Sequence, residues 1–278
     1  GIVYLDMAAE INPNQAPAAA YEMLAMLLRR VLFSALGLGV LFALWWFGGW
    51  LLESNPATMS FADFGPFPTF DAVPYMVQSG TLLDASQASG YRLGIGLLLA
   101  IITGIPIGIL MGRSNVFRKL SNTPFQFLRM VSPLSWEPIA VIAMPTWDQA
   151  IIFLISMAAV WPVAFATAAG LAKLDPAWFK VARNLGASWW NILKEIILPA
   201  IAFDVLTGIR LALGVAWIVI VPAEFLGITS GLGYTIQDSR ENLMYADLAV
   251  TILVIGFIGF IMDGICLALI KRFSWHRG

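Results

Sequence analysis

Long runs of apolar residues, separated by short polar stretches, recur along the whole chain. A membrane-spanning helix needs about 20 mainly apolar residues. Six segments approach or exceed that length: residues 31–52, 93–112, 127–144, 150–172, 201–222 and 248–270. The third is interrupted by Pro133 and Pro138, and a broken backbone is tolerated at membrane depth where it lines a cavity or is buried in protein. The pattern therefore predicts six spans, the third of them beside a pathway.

The composition indicates the same class of protein. Hydrophobic residues make up 59% of the 278 positions and charged residues 12%, whereas a soluble domain is about 25% charged. A chain of this size cannot bury so much apolar surface within itself, so we predict an all-α, polytopic integral membrane protein. With Cys266 as its one cysteine and His276 as its one histidine, the chain excludes a disulfide framework and a His/Cys metal site.

The basic residues predict the orientation. Of the sixteen lysines and arginines, all except Arg92 and Arg240 fall on one side of the predicted spans, and the positive-inside rule makes that side cytoplasmic. Both termini and the loop 173–199 are then cytoplasmic. The predicted organisation has three parts: a tail with a lead-in helix (1–30), a transmembrane domain (31–272) and a C-terminal tail (273–278).

A polar stretch, KVARNLGASWWNILKEIILPA at residues 180–200, separates two of the spans. Asp175 and Pro176 are typical of a helix start, Gly186 of the left-handed residue that ends a helix, and Ser188 of a second helix cap. These residues predict a helix, a glycine turn and a second helix that leads into the membrane. Two functions fit: an interfacial amphipathic helix with its tryptophan pair at the headgroups, and a docking surface for another protein.

The spacing within this stretch resembles the EAA loop of bacterial ABC importer permeases, E-A-A, three residues, G, nine residues, I-x-L-P. Ala182, Gly186, Ile196 and Pro199 stand at matching positions. The resemblance implies a coupling helix that inserts into a groove of a separate ATPase subunit. It assigns this contact to Lys180, Val181, Ala182, Arg183, Gly186, Ala187, Ser188, Ile196 and Pro199. Lys180 and Val181 replace the Glu and Ala of the motif, so we expect an acidic partner for Lys180.

Three further stretches narrow the resemblance to the nitrate, sulfonate and bicarbonate group of permeases. They are SPLSWEPIAVIAM (132–144), AEFLGITSGLGYTIQDSRENL (223–243) and LVIGFIGFIMD (253–263). The S-P-L-x-W-x-P form, with VWP at 160–162, favours the nitrate and bicarbonate branch over the sulfonate branch.

This resemblance implies a MetI-like, type I importer fold of about six helices, in a homodimer within the bacterial inner membrane. Two ATPase subunits would dock on the cytoplasmic face and bind ATP and Mg, and a solute-binding protein would dock outside. The chain has no G-x-x-x-x-G-K-[ST] phosphate loop, so we expect it to be neither an enzyme nor a cofactor binder. The expected passenger is nitrate or nitrite, with bicarbonate, an alkanesulfonate such as taurine, and cyanate as alternatives.

Polar residues predicted at or near membrane depth are candidates for the pathway, because ionisable groups are costly there. Arg129 and Arg210, near the cytoplasmic ends of spans, either attract an anion or act as anchors. Glu137 is a gate or a structural hydrogen-bond partner. Glu224 is a pathway residue or holds the following turn, and Asp263 is expected to form an ion pair. The other lining candidates are Ser132, Ser135, Trp136 and Trp161. With no arginine expected at mid-membrane, we predict a weak site and selectivity in the binding protein.

A tight external turn is predicted before the last span, formed by Ser230, Gly231, Gly233 and Tyr234. It is either a re-entrant gate that contacts the binding protein or an ordinary loop. The glycines of residues 93–112 suit close helix packing and could also serve the dimer interface.

Two other classes of function fit the sequence less well. An ion-coupled secondary transporter would need titratable groups at mid-membrane and inverted repeats, and no repeat is evident. An intramembrane enzyme would need a usable histidine or a pair of acids, and the chain offers neither.

Overall fold

The computed structural model describes residues 16–225 and 227–274, and these form helices joined by short connections. The ten α-helices that position the sites are numbered α1 to α10. They are Ala16–Ser54 (α1), Pro66–Gln78 (α2), Thr81–Arg113 (α3), Asn115–Met130 (α4), Glu137–Ala143 (α5), Trp147–Ala172 (α6), Pro176–Asn184 (α7), Leu198–Ala223 (α8), Leu232–Glu241 (α9) and Tyr245–Ser274 (α10). The all-α fold class agrees with the prediction.

Five helical stretches in the described part of the chain are long and apolar enough to cross a membrane. They are Leu24–Ser54, Thr81–Arg113, Trp147–Ala172, Trp189–Ala223 and Tyr245–Arg272. The third predicted span is not a continuous helix. α4 ends at Met130, Val131 is extended, Pro133–Trp136 forms a 3₁₀ turn and α5 follows. Proline at the start of each short helix fits there because it needs no N–H partner at that position.

The packing of α3 on α6 nevertheless shows that this broken segment crosses the bundle. Gly96 of α3 packs against Ile155 of α6. Sixteen residues further along each helix, Gly112 packs against Leu171, so the two helices run parallel. Residues 114–146 therefore have to return from the end of α3 to the start of α6. The predicted six crossings become five long helices and one broken one.

α6, α8 and α10 alternate in direction. Gly170, near the end of α6, packs against Asp204, near the start of α8. Trp217, near the end of α8, donates a hydrogen bond of 3.2 Å to the carbonyl of Ile255 in α10. We call the end of the bundle that carries residues 175–198 the loop end, and the opposite end, where α3, α6 and α10 begin, the turn end.

α6 forms the centre of this bundle. Ile155, Ala159 and Val163 have no exposed surface, because α3 packs on one side of α6 and α8 on the other. Small residues such as Gly104 of α3 and Ala212 of α8 let the backbones approach closely, as is common between membrane helices. Residues on α3, α6 and α8 can therefore be placed at a definite depth by their register.

The chain divides into two compact units between Phe70 and Asp71. In the first unit, the indole of Trp45 donates a 2.7 Å hydrogen bond to the carbonyl of Phe64. α1 is one continuous helix through the predicted boundary at residue 30, so the lead-in helix and the first span are a single element. Residues 1–15, half of the predicted N-terminal part, and residues 275–278, most of the predicted C-terminal tail, lie outside the described residues.

Candidate functional site

The loop at residues 175–198 has the predicted helix, glycine turn and second helix. The carboxylate of Asp175 accepts a 2.8 Å hydrogen bond from Ala177 N–H and caps α7. Gly186 has a φ of +79°, and the N–H of Ala187 bonds to the carbonyl of Ala182 at 3.0 Å. This is the left-handed closure that favours glycine. Ser188 then accepts a hydrogen bond from Asn191 N–H and caps the next turn.

The second helix of the loop differs from the expected regular helix. After one turn at Trp189–Asn191, residues Ile192–Ile197 form a π-helix that runs directly into α8. Pro199 explains the wider turn, since it has no N–H for the carbonyl of Glu195 and its ring clashes with that carbonyl in an α-helix. The N–H of Leu198 accordingly bonds to the carbonyl of Leu193, five residues back.

The loop presents an apolar surface edged with basic side chains. Val181, Leu185 and Trp190 are exposed, Leu185 to 82%, and Lys180 and Arg183 are exposed beside them. Other assigned residues anchor the loop: Ala182 is buried, and Ala187 and Ile196 are half-buried. An exposed apolar patch framed by polar residues marks an interface with protein or membrane.

Arg113, which the sequence did not single out, joins this loop to the bundle. Its guanidinium carbon lies 4.7 Å from the ring centroid of Phe179 in α7 and 5.2 Å from that of Trp189. These are cation–π distances. Since Arg113 is the last residue of α3, it connects both arms of the loop to the end of that span.

A buried polar cluster occupies the turn end. Glu224 has no exposed surface and accepts hydrogen bonds from Arg92 at 2.7 Å, from Ser89 at 2.8 and 2.9 Å, and from Gly233 N–H at 2.9 Å. Burial raises the pKa of Glu224, and these donors oppose the rise. Arg92 also donates to the carbonyl and the hydroxyl of Ser230, at 2.9 and 2.7 Å.

Of the two roles predicted for Glu224, this cluster favours the one in which it holds the following turn. Its carboxylate fills the predicted external turn, and a Cβ at Gly231, where φ is +114°, would lie 2.5 Å from its atoms. Gly231 and Gly233 are buried, Tyr234 is half-buried and Ser230 is exposed. Arg92, predicted only as an exception to the positive-inside pattern, is the cation that holds this turn.

Arg210 is likewise committed to a partner. It donates to both carboxylate oxygens of Asp263, at 2.6 and 2.9 Å, so the predicted ion pair of Asp263 is present and the guanidinium of Arg210 is turned toward α10. Nearby, Lys173 pairs with Asp204 at 2.5 Å, an acid in α8 that the sequence reading passed over. Arg210 does not line either of the cavities described next.

A cavity of about 530 Å³, which we call the Arg129 cavity, lies between the broken segment, α6 and α8. Its lining includes Arg129, Val131, Pro133, Trp161, Phe165 and Leu211. The guanidinium carbon of Arg129 lies 5.2 Å from the ring centroid of Phe165. Trp161 also lines a larger apolar cavity of about 780 Å³, where its ring centroid is 5.4 Å from that of Phe125.

The other pathway candidates in the broken segment do not line this cavity. Ser132 and Ser135 are exposed, and Glu137 is half-buried at the start of α5. Trp136 packs against the hydrophobic core formed by α3, α6 and α8. Of the eight pathway residues proposed from the sequence, Arg129 and Trp161 are brought together on one cavity wall.

Together, the long apolar helices, the loop with its exposed apolar surface and the cavity beside Arg129 are features of a polytopic membrane protein with a surface for a partner. Residues 104–275 match the family model described as the binding-protein-dependent transport system inner membrane component. Since this match covers more than half of the chain, the protein belongs to that family. It is a multi-pass inner-membrane subunit of a transport system, as the sequence predicted, and not an enzyme.

Relatives with named substrates are similar over much of the chain. It is 36% identical to the bicarbonate transport system permease protein CmpB of Synechococcus elongatus over 178 residues, 63% of this chain and 64% of that protein, slightly less than two thirds of the relative's length. It is 33% identical to the nitrate import permease protein NrtB of Leptolyngbya laminosa, over 69% of this chain and 70% of that protein. It is 32% identical to the taurine transport system permease protein TauC of Escherichia coli, over 89% and 91%.

Solved structures share the fold at low sequence identity. The methionine ABC transporter MetNI in inward-facing conformations has a TM-score of 0.59 at 14% identity, covering 69% of this chain and 96% of that chain. An amino acid ABC transporter crystallised with histidines has a TM-score of 0.57 at 15% identity, covering 73% and 97%. The MetI-like fold expected from the resemblance is therefore confirmed.

Proposed function

We propose that this chain forms the translocation pathway of an ABC importer for a small oxyanion, with nitrate as the passenger. Two ATPase subunits bind ATP and Mg and supply the energy, two copies of this chain enclose the pathway, and an external binding protein delivers the anion. The observation that carries this proposal is the loop at residues 175–198, an exposed apolar surface joined rigidly to two spans.

The loop is suited to transmit motion from a partner. Its first helix and the turn after Ser188 are both held to α3 by Arg113, and its π-helix continues into α8 without a break. A protein that displaces the exposed face of Val181 and Leu185 therefore moves the ends of two spans. Lys180, where the EAA pattern has Glu, favours an acidic groove in the ATPase.

The charge distribution supports a cytoplasmic loop end. Lys180, Arg183 and Lys194 lie on the loop, and Lys271 and Arg272 lie in the last turn of α10, which ends on the same side. At the turn end, Arg92 is neutralised by Glu224. By the positive-inside rule this distribution favours a loop end in the cytoplasm, where ATP is available.

Nitrate is proposed from the S-P-L-x-W-x-P form and from the similarity to a nitrate import permease. Bicarbonate is the second candidate, because a bicarbonate permease is the relative with 36% identity. The experiment is to reconstitute the permease with its ATPases and its binding protein and to measure ATP hydrolysis with each anion. We expect nitrate to stimulate ATP hydrolysis. If only bicarbonate does so, bicarbonate is the passenger, and if no anion does so, the proposal is refuted.

Replacing Gly186 with valine is expected to impair transport by tilting α7. No atom lies within 4 Å of a Cβ at this position, so the effect comes from the backbone: a β-branched residue at φ +79° costs about 1–2 kcal/mol. Nitrate uptake and co-purification of the ATPase should both fall. Gly186→Asn is the matched control, since asparagine adopts this conformation readily, and normal uptake by the valine variant would contradict the coupling role.

A further inference from the structure

Arg129 is a cation without an anionic partner. Its side chain forms no ion pair and donates no hydrogen bond to any other residue among 16–225 and 227–274. Its guanidinium lies over the face of the Phe165 ring. Stacking uses the flat face of the guanidinium and leaves its N–H donors free around the edge. Arg92 and Arg210, by contrast, are both paired with carboxylates.

Arg129 is exposed, and its distance from the loop end can be read from the residue of α6 that it contacts. Phe165 is seven residues before the last residue of α6, Ala172, which places it about 10 Å inside the loop end at 1.5 Å per residue. A charged side chain at such depth almost always faces a cavity or a bundle interior because lipid exposure is costly. The cavity beside Arg129 meets that requirement.

Trp161 adds a second free donor on the same wall. Its side chain is nine-tenths buried, with 9% of the residue exposed, and within the described part of the chain its indole N–H donates to no acceptor. Buried indoles usually find a hydrogen-bond partner. Ser121 carries the fully sealed side-chain polar atom without a partner among the described residues, so the indole nitrogen of Trp161 keeps some accessible surface. Trp161 lines both the Arg129 cavity and the larger apolar cavity.

The chemistry of the lining selects the class of ligand. Arg129 and Trp161 lie on a wall that is otherwise made of apolar side chains, and no carboxylate lines the cavity. The single positive charge of Arg129 balances a monovalent anion. Because the site offers few hydrogen-bond donors to replace water, it suits an anion that is weakly hydrated.

We infer that the Arg129 cavity is a binding site for a small monovalent oxyanion within the permease, with Arg129 supplying the charge and Trp161 a hydrogen bond. This inference rests on the proposed function and deepens it: the passenger is held by the permease between its release from the binding protein and its exit. It replaces the expectation that selectivity lies mainly in the binding protein.

The test compares Arg129→Met with Arg118→Met in the complete complex, reconstituted in proteoliposomes with its ATPases and binding protein. Arg118 lies on the same helix, and its guanidinium bonds to Asn115 at 2.8 Å on the exposed surface. Arg129→Met should lower the maximal rate of nitrate uptake at least about tenfold, as expected for the loss of a charge-assisted hydrogen bond. The binding-protein concentration that half-saturates ATP hydrolysis should not change, and Arg118→Met should transport as the wild type does.

Two further measurements separate the possible failures. Nitrate should raise the thermal unfolding temperature of the purified complex, and this shift should be lost in Arg129→Met and reduced in Trp161→Phe; bicarbonate is tested in parallel. Arg129→Lys keeps the positive charge and controls for misfolding of Arg129→Met, so it should recover part of the uptake. Wild-type complex that transports no anion would refute the proposed function. Two results would overturn the site if the wild-type complex transports nitrate. One is an Arg129→Met uptake rate equal to that of Arg118→Met. The other is an Arg129→Lys rate as low as that of Arg129→Met.

Discussion

Replacing Arg92 with methionine is expected to destabilise the folded bundle by about 3–5 kcal/mol, the effect of leaving a buried charge without its partner. The side chain of Arg92 is 4% exposed and that of Glu224 is fully buried. Arg92 also bonds to Ser230 and to Asp148, so its removal releases the turn after α8 from both α3 and α6. We expect a lower midpoint in denaturant and early proteolysis at residues 225–231.

The control for this variant is Arg240→Met, which removes a charge from the exposed surface at the same end. The double variant Arg92→Met, Glu224→Met tests the cause, because removing both partners of a buried pair costs much less than removing one. The double variant should therefore be more stable than Arg92→Met alone. A single variant as stable as Arg240→Met would show that the cluster does not hold the turn.

The parts of the molecule that the sequence predicted are those with local signals. Gly186 followed the requirement for a left-handed residue between two helices, and Asp175 and Ser188 followed the preference of short polar side chains for helix caps. All three are found in these roles. Each role depends on residues fewer than six positions away, so spacing alone identified it.

The Arg92–Glu224 pair could not be found in this way, because 132 residues separate its members. Arg92 was visible in the sequence only as a basic residue on the unexpected side. The informative signal was that Arg92 lies on the same face of α3 as the glycines, near the turn end. That face packs against other helices, so an arginine on it needs an acid from another helix. Which helix supplies the acid depends on the register of the bundle.

The place of Arg129 on a cavity wall could not be predicted for a related reason. The sequence treats residues 127–144 as one span, whereas α4 is a complete helix of 16 residues that ends at Met130 before the break. Arg129 therefore lies in the last turn of α4, where it contacts Phe165 of α6. The π-helix at Ile192–Ile197 was also missed, although Pro199 was noted, because a proline clash can be relieved by a bend or by a wider turn.

Replacing Gly108 with leucine is the second change with a large expected effect, because α3 and α6 are in backbone contact there. A Cβ at this position would lie 2.5 Å from the Cβ of Thr167 and would also clash with the carbonyl oxygen of Ala164. Thr167 is fully buried and its hydroxyl is bonded to the carbonyl of Val163, so neither neighbour can move aside. Overpacking of this kind costs about 3 kcal/mol, and more when backbone has to shift.

The outcome also decides which surface the glycines of α3 serve. Gly108 faces α6 of the same chain, so it cannot at the same time face a second copy, whereas Gly94 on the same helix has no atom within 4 Å of a built Cβ. Gly108→Leu should lower the unfolding midpoint in detergent and the yield of folded protein, and Gly94→Leu should leave both unchanged. If both variants fold normally and only Gly108→Leu fails to dimerise, Gly108 serves the contact between two copies of the chain and not the contact between α3 and α6.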